Sequence, residues 1–181
     1  MLAVYIILGF LVLYLIFIYN SFVRLRNQVL NSFSGIDVQL KRRNDLIPNL
    51  VNAVKGYAMH EKQLLETLTK KRASLMNTLE EKDVKKVAKE DESLSGVLKS
   101  LFMVSENYPD LKANQNFLNL KRQLRRTEDQ IAASRRIYNS NVAIFNSKIE
   151  VFPNNLLNKL LKFNKFDFYS IKESEVVKVE L

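Results

Sequence analysis

The chain has no cysteine and no tryptophan, and only one histidine, three prolines and four glycines in 181 residues. Without cysteine there are no disulfides, thiol nucleophiles, thiolate-held iron–sulfur clusters or thiolate zinc sites. A single histidine excludes any site that needs two. Scarce glycine and proline, beside an apolar fraction of 47%, argue against a disordered chain and against a β-rich fold built on many turns. The length suits one domain with at most an appendage. Most of the usual catalytic repertoire is therefore missing before any motif is sought.

One long apolar run is present. Leu2 to Val23 carry no charged side chain. As a helix these 22 residues reach about 33 Å, enough to cross a hydrocarbon core of about 30 Å. A cleaved signal peptide fits poorly, because no Lys or Arg precedes the run and no small-x-small site follows it. Residues 1–23 are expected to form an uncleaved transmembrane anchor, with residues 2–23 in contact with membrane lipid. Arg24, Arg26, Lys41, Arg42 and Arg43 follow closely, so the positive-inside bias puts the body in the cytoplasm and the N-terminus outside, at the cell (inner) membrane. All charged side chains lie after residue 23, and the body carries the net charge of +9. That suits a surface beside anionic lipid. An excess of Lys over Arg and abundant Asn fit a compositional habit equally well.

Residues 24–152 read as a helical bundle. Phe22, Leu25, Val29, Phe33, Ile36 and Leu40 recur at steps of three and four, and Ile47, Leu50, Val54, Tyr57, Leu64, Leu68 and Leu75 resume the stripe. Arg43 and Glu61 interrupt it. Pro48 cannot donate a helical hydrogen bond, so a break at 43–47 is expected, with Asn44 or Asp45 capping a new helix; one long kinked helix is the alternative. No Gly or Pro lies between Asn20 and Asn31, so the anchor should run straight into the first bundle helix. Thr78 to Ser93 reads as a helix end, a connection and a solvated first turn. A short amphipathic helix follows over Leu94 to Val104. Tyr108-Pro109-Asp110 reads as a turn opening another helix. Phe117, Leu124, Ile131, Tyr138, Phe145 and Phe152 then recur every seven residues, the repeat of left-handed helix packing. The expected fold is all-α: an N-terminal transmembrane helix continuing into an antiparallel bundle of about four long helices. Residues 153–181 form a short amphipathic segment and a mobile tail. Leu156 to Phe163 either cover the bundle end or touch the membrane surface.

No catalytic, cofactor-binding or metal-binding residues are assigned. His60-Glu61 would begin a helical zinc motif, but Leu64 stands where the second His belongs. Di-iron bundles need Glu-x-x-His pairs, and Tyr57 precedes His60 at that spacing. Glu80-Glu81 and Glu90-Asp91-Glu92 read as a solvated face. Arg43, on the apolar stripe, is expected to pair inside the bundle with a carboxylate such as Glu106 or Glu128. Arg135-Arg136 beside Glu128 would serve the same end. The aromatics sit at core spacing rather than among the basic residues, which argues against nucleic acid.

Several ordered blocks resemble the LemA family: Tyr19-Asn20, Leu25-Arg26-Asn27, Ile36 to Arg43, Asp45 to Val51, Val54 to Ala58 with His60-Glu61, Tyr108 to Asn114, Thr127-Glu128 to Arg135-Arg136, Tyr138-Asn139, Asn146 and Phe152-Pro153. The resemblance implies a bacterial membrane protein with one N-terminal span and a four-helix cytoplasmic bundle. It implies no reaction, no cofactor and no catalytic residues. Some relatives are associated with specialised membrane compartments. The expected function is a non-catalytic docking or organising module with an unidentified protein partner. The alternative is direct binding of anionic lipid, or membrane shaping, by the basic body and residues 156–163.

Overall fold

The computed structural model describes residues 1–170, and within them the chain is helical with no strand. The helices are α1 (Leu2–Lys55), α2 (Lys62–Glu81), α3 (Val84–Ser105), α4 (Pro109–Ala113), α5 (Gln115–Glu150) and α6 (Asn154–Leu161). A short 3-10 turn, Met59–Glu61, joins α1 to α2. The tail from Lys172, expected to be mobile, lies outside the described residues.

α1 and α5 form the spine. The seven-residue repeat of α5 buries Phe117, Leu124, Ile131, Tyr138 and Phe145 against the stripe of α1, from Phe22 through Ile36 and Leu40 to Val54. The repeat stops one member short of expectation. α5 ends at Glu150, and Phe152 is 77% exposed. The α2–α3 hairpin covers the distal half of this pair, its turn reaching Val29, Leu30 and Phe33 of α1. Two long helices and two of roughly half their length thus make the bundle.

α1 passes Pro48 without the expected break. A proline at this position leaves the carbonyl four residues back without its helical donor. That carbonyl belongs to Asn44, and Nε of Arg72 on α2 donates to it at 3.1 Å. A neighbouring helix supplies what the proline removes, and Asn44 and Asp45 cap nothing. The helix stops instead at Gly56.

The connection expected over Thr78–Ser93 shrinks to two residues. Lys82 closes α2 in the left-handed conformation, φ 55°. Asp83 then caps α3, its side chain accepting from the Lys86 amide at 3.1 Å. What reads as a solvated charge run is the first half of α3, which buries Val87, Ala88 and Asp91. Pro109 opens α4 as expected, and Asn114 caps α5 by accepting from the amides of Asn116 and Phe117 at 2.9 and 3.1 Å.

The near half of the spine is covered by the C-terminal segment. α6 packs against α5 and borders a groove with α1, and Phe163 stacks edge-on against Phe22 and Phe145 at 5.5 and 6.3 Å between ring centres. The chain then turns back along α5 to Tyr169, which is buried. Within the segment Leu156 to Phe163, Leu157 and Phe163 pack against the core, while Leu156, Leu160 and Leu161 stay exposed.

Met1 to Phe17 are exposed throughout, and α1, the helix that carries them, is long and apolar enough to cross a membrane. Burial begins at Ile18, inside the uncharged run.

Candidate functional site

Three helices, α1, α3 and α5, contribute charged residues to the bundle interior. On α1, Arg43 stands between Leu40 and Ile47 and is 1% exposed. On α3, Asp91 stands between Val87 and Leu94 and is fully buried. α5 supplies Glu128 and Arg135, one heptad apart. The bundle brings these four charges together at mid-height.

Asp91 is the hub. One carboxylate oxygen accepts from Nη2 of Arg43 and the other from Nη2 of Arg135. The second oxygen also accepts from the Tyr169 hydroxyl at 2.6 Å. Arg43 Nη1 donates to Glu128 Oε2 at 2.6 Å and to Ser95 Oγ at 2.9 Å. Arg135 lies 3.8 Å from Glu128 Oε1 and stacks on the Tyr169 ring at 5.3 Å. Two positive and two negative groups balance, which is what allows Arg43 and Asp91 to be buried, while Glu128 reaches the surface. Burial, then the Asp91 charge and hydrogen bond, push the Tyr169 hydroxyl well above the usual tyrosine range.

Of the partners expected for Arg43, Glu128 is used and Glu106 is not; Glu106 instead meets Lys112 and Lys121. Arg135 joins the cluster, while Arg136 faces solvent. Asp91, expected on a solvated face, is the residue the sequence reading missed. Its signal was the step of three and four that carries Leu98 and Leu94 back through Asp91 to Val87. Tyr169 had no such signal, because it arrives on an extended segment.

Two asparagines hold that segment. Asn146 Nδ2 donates to the Phe166 carbonyl at 2.9 Å, and its Oδ1 accepts from the Phe166 amide at 2.9 Å. Asn139 does the same to Tyr169 at 3.0 and 2.8 Å. The asparagines are two helical turns apart, about 10 Å. Three extended residues cover the same distance, so each amide meets its own backbone unit. Between them the Tyr138 hydroxyl donates to the Asp167 carbonyl at 2.9 Å. Burial, with the Asp167 charge behind it, pushes Tyr138 up to about 12.

The other motif residues gather at the distal tip. Tyr108 donates to Glu61 at 3.2 Å, and Asn114 donates to the Tyr57 hydroxyl at 2.9 Å. His60 is exposed, on the 3-10 turn rather than on a regular helix. Among the described residues no three His, Asp or Glu side chains converge as metal ligands.

The segments so connected are those of a known family. The profile of the LemA family matches residues 32–181. The chain belongs to the LemA family. Protein LemA of Metamycoplasma hominis is 30% identical over 162 residues, covering 89% of this chain and 73% of the relative. Magnetosome protein MamQ 2 of Paramagnetospirillum magneticum is 23% identical, and magnetosome protein MamQ of Magnetospirillum gryphiswaldense 21% identical. Each is matched over 85% of this chain and 65% of its own length, so this chain spans about two thirds of the magnetosome proteins. In this LemA-family chain, residues from those blocks meet in two places: Arg43, Glu128 and Arg135 in the ionic cluster, and Tyr57, Glu61, Tyr108 and Asn114 at the distal tip.

Two open grooves flank these features. One of about 570 Å³ lies between α3 and α5 over Arg43, with Leu98, Phe102 and Leu124 in its wall and a rim of mixed charge. The other, about 610 Å³, lies at the distal end of α1 and α2.

Proposed function

We propose that this LemA-family chain is a membrane-anchored docking or organising module, its N-terminal span in the cell membrane and its bundle on the cytoplasmic face. The observation that carries the reading is α1, one unbroken helix from the apolar stretch to the distal tip. It holds the tip at a set height, roughly 48 Å beyond Val23 at 1.5 Å per residue. In the polar interior Asp91, Arg43, Glu128 and Arg135 are engaged with one another. The names of the relatives specify no reaction. Arg24 and Arg26 beside the apolar stretch favour the cytoplasmic orientation.

The distal groove suits docking. Val51, Ala58 and Leu65 form its floor, and Lys55, Lys62 and Lys70 outnumber Glu66 on its rim. That composition fits an acidic amphipathic segment of a partner. The test places a photocrosslinking residue at Lys62 in cells, with a second at Lys148 on α5 as comparison. A discrete adduct formed from Lys62 and not from Lys148 is expected. No adduct from Lys62, or equal labelling from both, overturns the reading.

A second reading, direct contact with anionic lipid, is favoured by the exposed apolar side chains Phe152, Leu156 and Leu160 beside Lys159 and Lys162.

A further inference from the structure

The bundle end nearest the apolar stretch has an apolar surface that the fold leaves uncovered. Phe152 is 77% and Leu160 79% exposed, with Val151, Leu156 and Leu161 exposed around them. Exposed leucines one helical turn apart do not belong on a surface bathed in water. The inner side of α6 settles where this surface lies. Leu157, Leu160 and Leu161 line a groove with Leu15, Ile16 and Tyr19 of α1. Those three precede Arg24, the first charged side chain, by five to nine residues. On a straight helix that places them about 7 to 14 Å toward the bilayer centre from Arg24. Whatever depth α1 residues 15–19 take in the membrane, α6 shares it.

We infer that residues 151–161, centred on α6, form an interfacial foot inserted at the headgroup–acyl boundary of the leaflet from which the bundle emerges, with phospholipid acyl chains against Phe152, Leu156 and Leu160. This rests on the membrane-anchored reading and deepens its lipid contact. Lys159 and Lys162 are exposed at the end of α6 and reach to the phosphates while the leucines stay in the apolar layer. The bundle then meets the bilayer at two points, the span and the foot, and its tilt is set by both. The clasp that reaches the buried cluster at Tyr169 starts from this foot, so the C-terminal segment ties the membrane surface to the centre of the bundle.

The chain has no tryptophan, so single-tryptophan variants report without background. The full chain carrying Leu160→Trp is reconstituted into vesicles of phosphatidylcholine and phosphatidylglycerol that contain lipids spin-labelled at shallow or deep acyl positions. Phe152→Trp is a second probe of the foot, Leu8→Trp probes the span, and Lys89→Trp on α3 is the solvent reference. Both foot probes are expected to be quenched by the shallow label at least twofold more than Lys89→Trp, and shielded from aqueous acrylamide. Leu8→Trp should be quenched by the deep label. Foot probes as open to acrylamide as Lys89→Trp, with Leu8→Trp still quenched by lipid, overturn the foot and leave the anchor standing. Loss of lipid quenching at Leu8→Trp as well overturns both.

Discussion

Tyr169 donates its hydroxyl to Asp91 at 2.6 Å across 78 residues of sequence. The contact closes a loop through the whole bundle: Asp91 already holds α1 and α5 through Arg43 and Arg135, and Tyr169 adds the C-terminal segment. Removing different members of this cluster should therefore have unequal effects.

Asp91→Asn removes the charge that both arginines share. Two guanidinium groups then stay buried with only Glu128 to oppose them, and breaking a buried pair from one side costs about 3–5 kcal/mol. Chemical unfolding of the full chain in detergent, followed by helical circular dichroism, should show a loss of this size. A loss below about 1 kcal/mol would mean that the arginines find other partners.

Tyr169→Phe should be milder, about 2 kcal/mol, because Asp91 keeps both arginines and loses one hydrogen bond to a charged acceptor. The effect should be local as well as global. Trypsin should cut after Lys165 faster than in the parent chain, while cleavage within α5 stays unchanged.

The asparagine clasps can be separated residue by residue. Asn146→Ala removes two hydrogen bonds to Phe166, and Asn139→Ala removes two to Tyr169. At about 1 kcal/mol each, the affected backbone amide should exchange roughly 30-fold faster, at Phe166 in the first variant and at Tyr169 in the second. Hydrogen exchange read by mass spectrometry distinguishes this from a uniform increase, which would indicate general loosening.

Pro48 and Arg72 should be coupled. Arg72→Met leaves the Asn44 carbonyl without a donor as long as Pro48 is present. In the Pro48→Ala background the helix supplies its own donor, so the same substitution should cost about 1 kcal/mol less. A double-mutant cycle measured by unfolding reads that difference directly. Strict additivity would mean that Arg72 acts through packing alone.

Alkaline pH should weaken the bundle through its buried tyrosines. Tyr138, pushed up to about 12, stays protonated in the folded state while an unfolded tyrosine ionises near 10. Unfolding then releases a proton, so the stabilisation is full below about pH 10 and falls as pH rises toward about 12. Tyr169 shifts in the same direction. Unfolding free energies at pH 9, 10 and 11 should fall on this limb, and Tyr138→Phe should make the fall shallower.

The apolar steps of α1 and the seven-residue repeat of α5 made the helices and their packing face readable, because a helix records its buried side at every third or fourth residue. Arg43 could be read as buried for the same reason: a charge on an apolar stripe must find a partner. Asp91 escaped because its neighbours Glu90 and Glu92 disguised the stripe, and the charge run looked like a surface. The continuity of α1 through Pro48 was not local information at all. Proline's cost depends on whether another element donates to the orphaned carbonyl, and Arg72 lies on the next helix.

Sequence alone determined that this LemA-family chain is helical, that it opens with an apolar stretch long enough to cross a membrane, and that its body is basic. Each of these is a sum or a short-range period. Only the tertiary structure decided which charges share one cluster, why the long helix does not break, and where the segment from Phe163 to Tyr169 goes. Those depend on groups far apart in the chain, and the segment ending at Tyr169 is held through its backbone by Asn139 and Asn146, which leaves no pattern in its own residues.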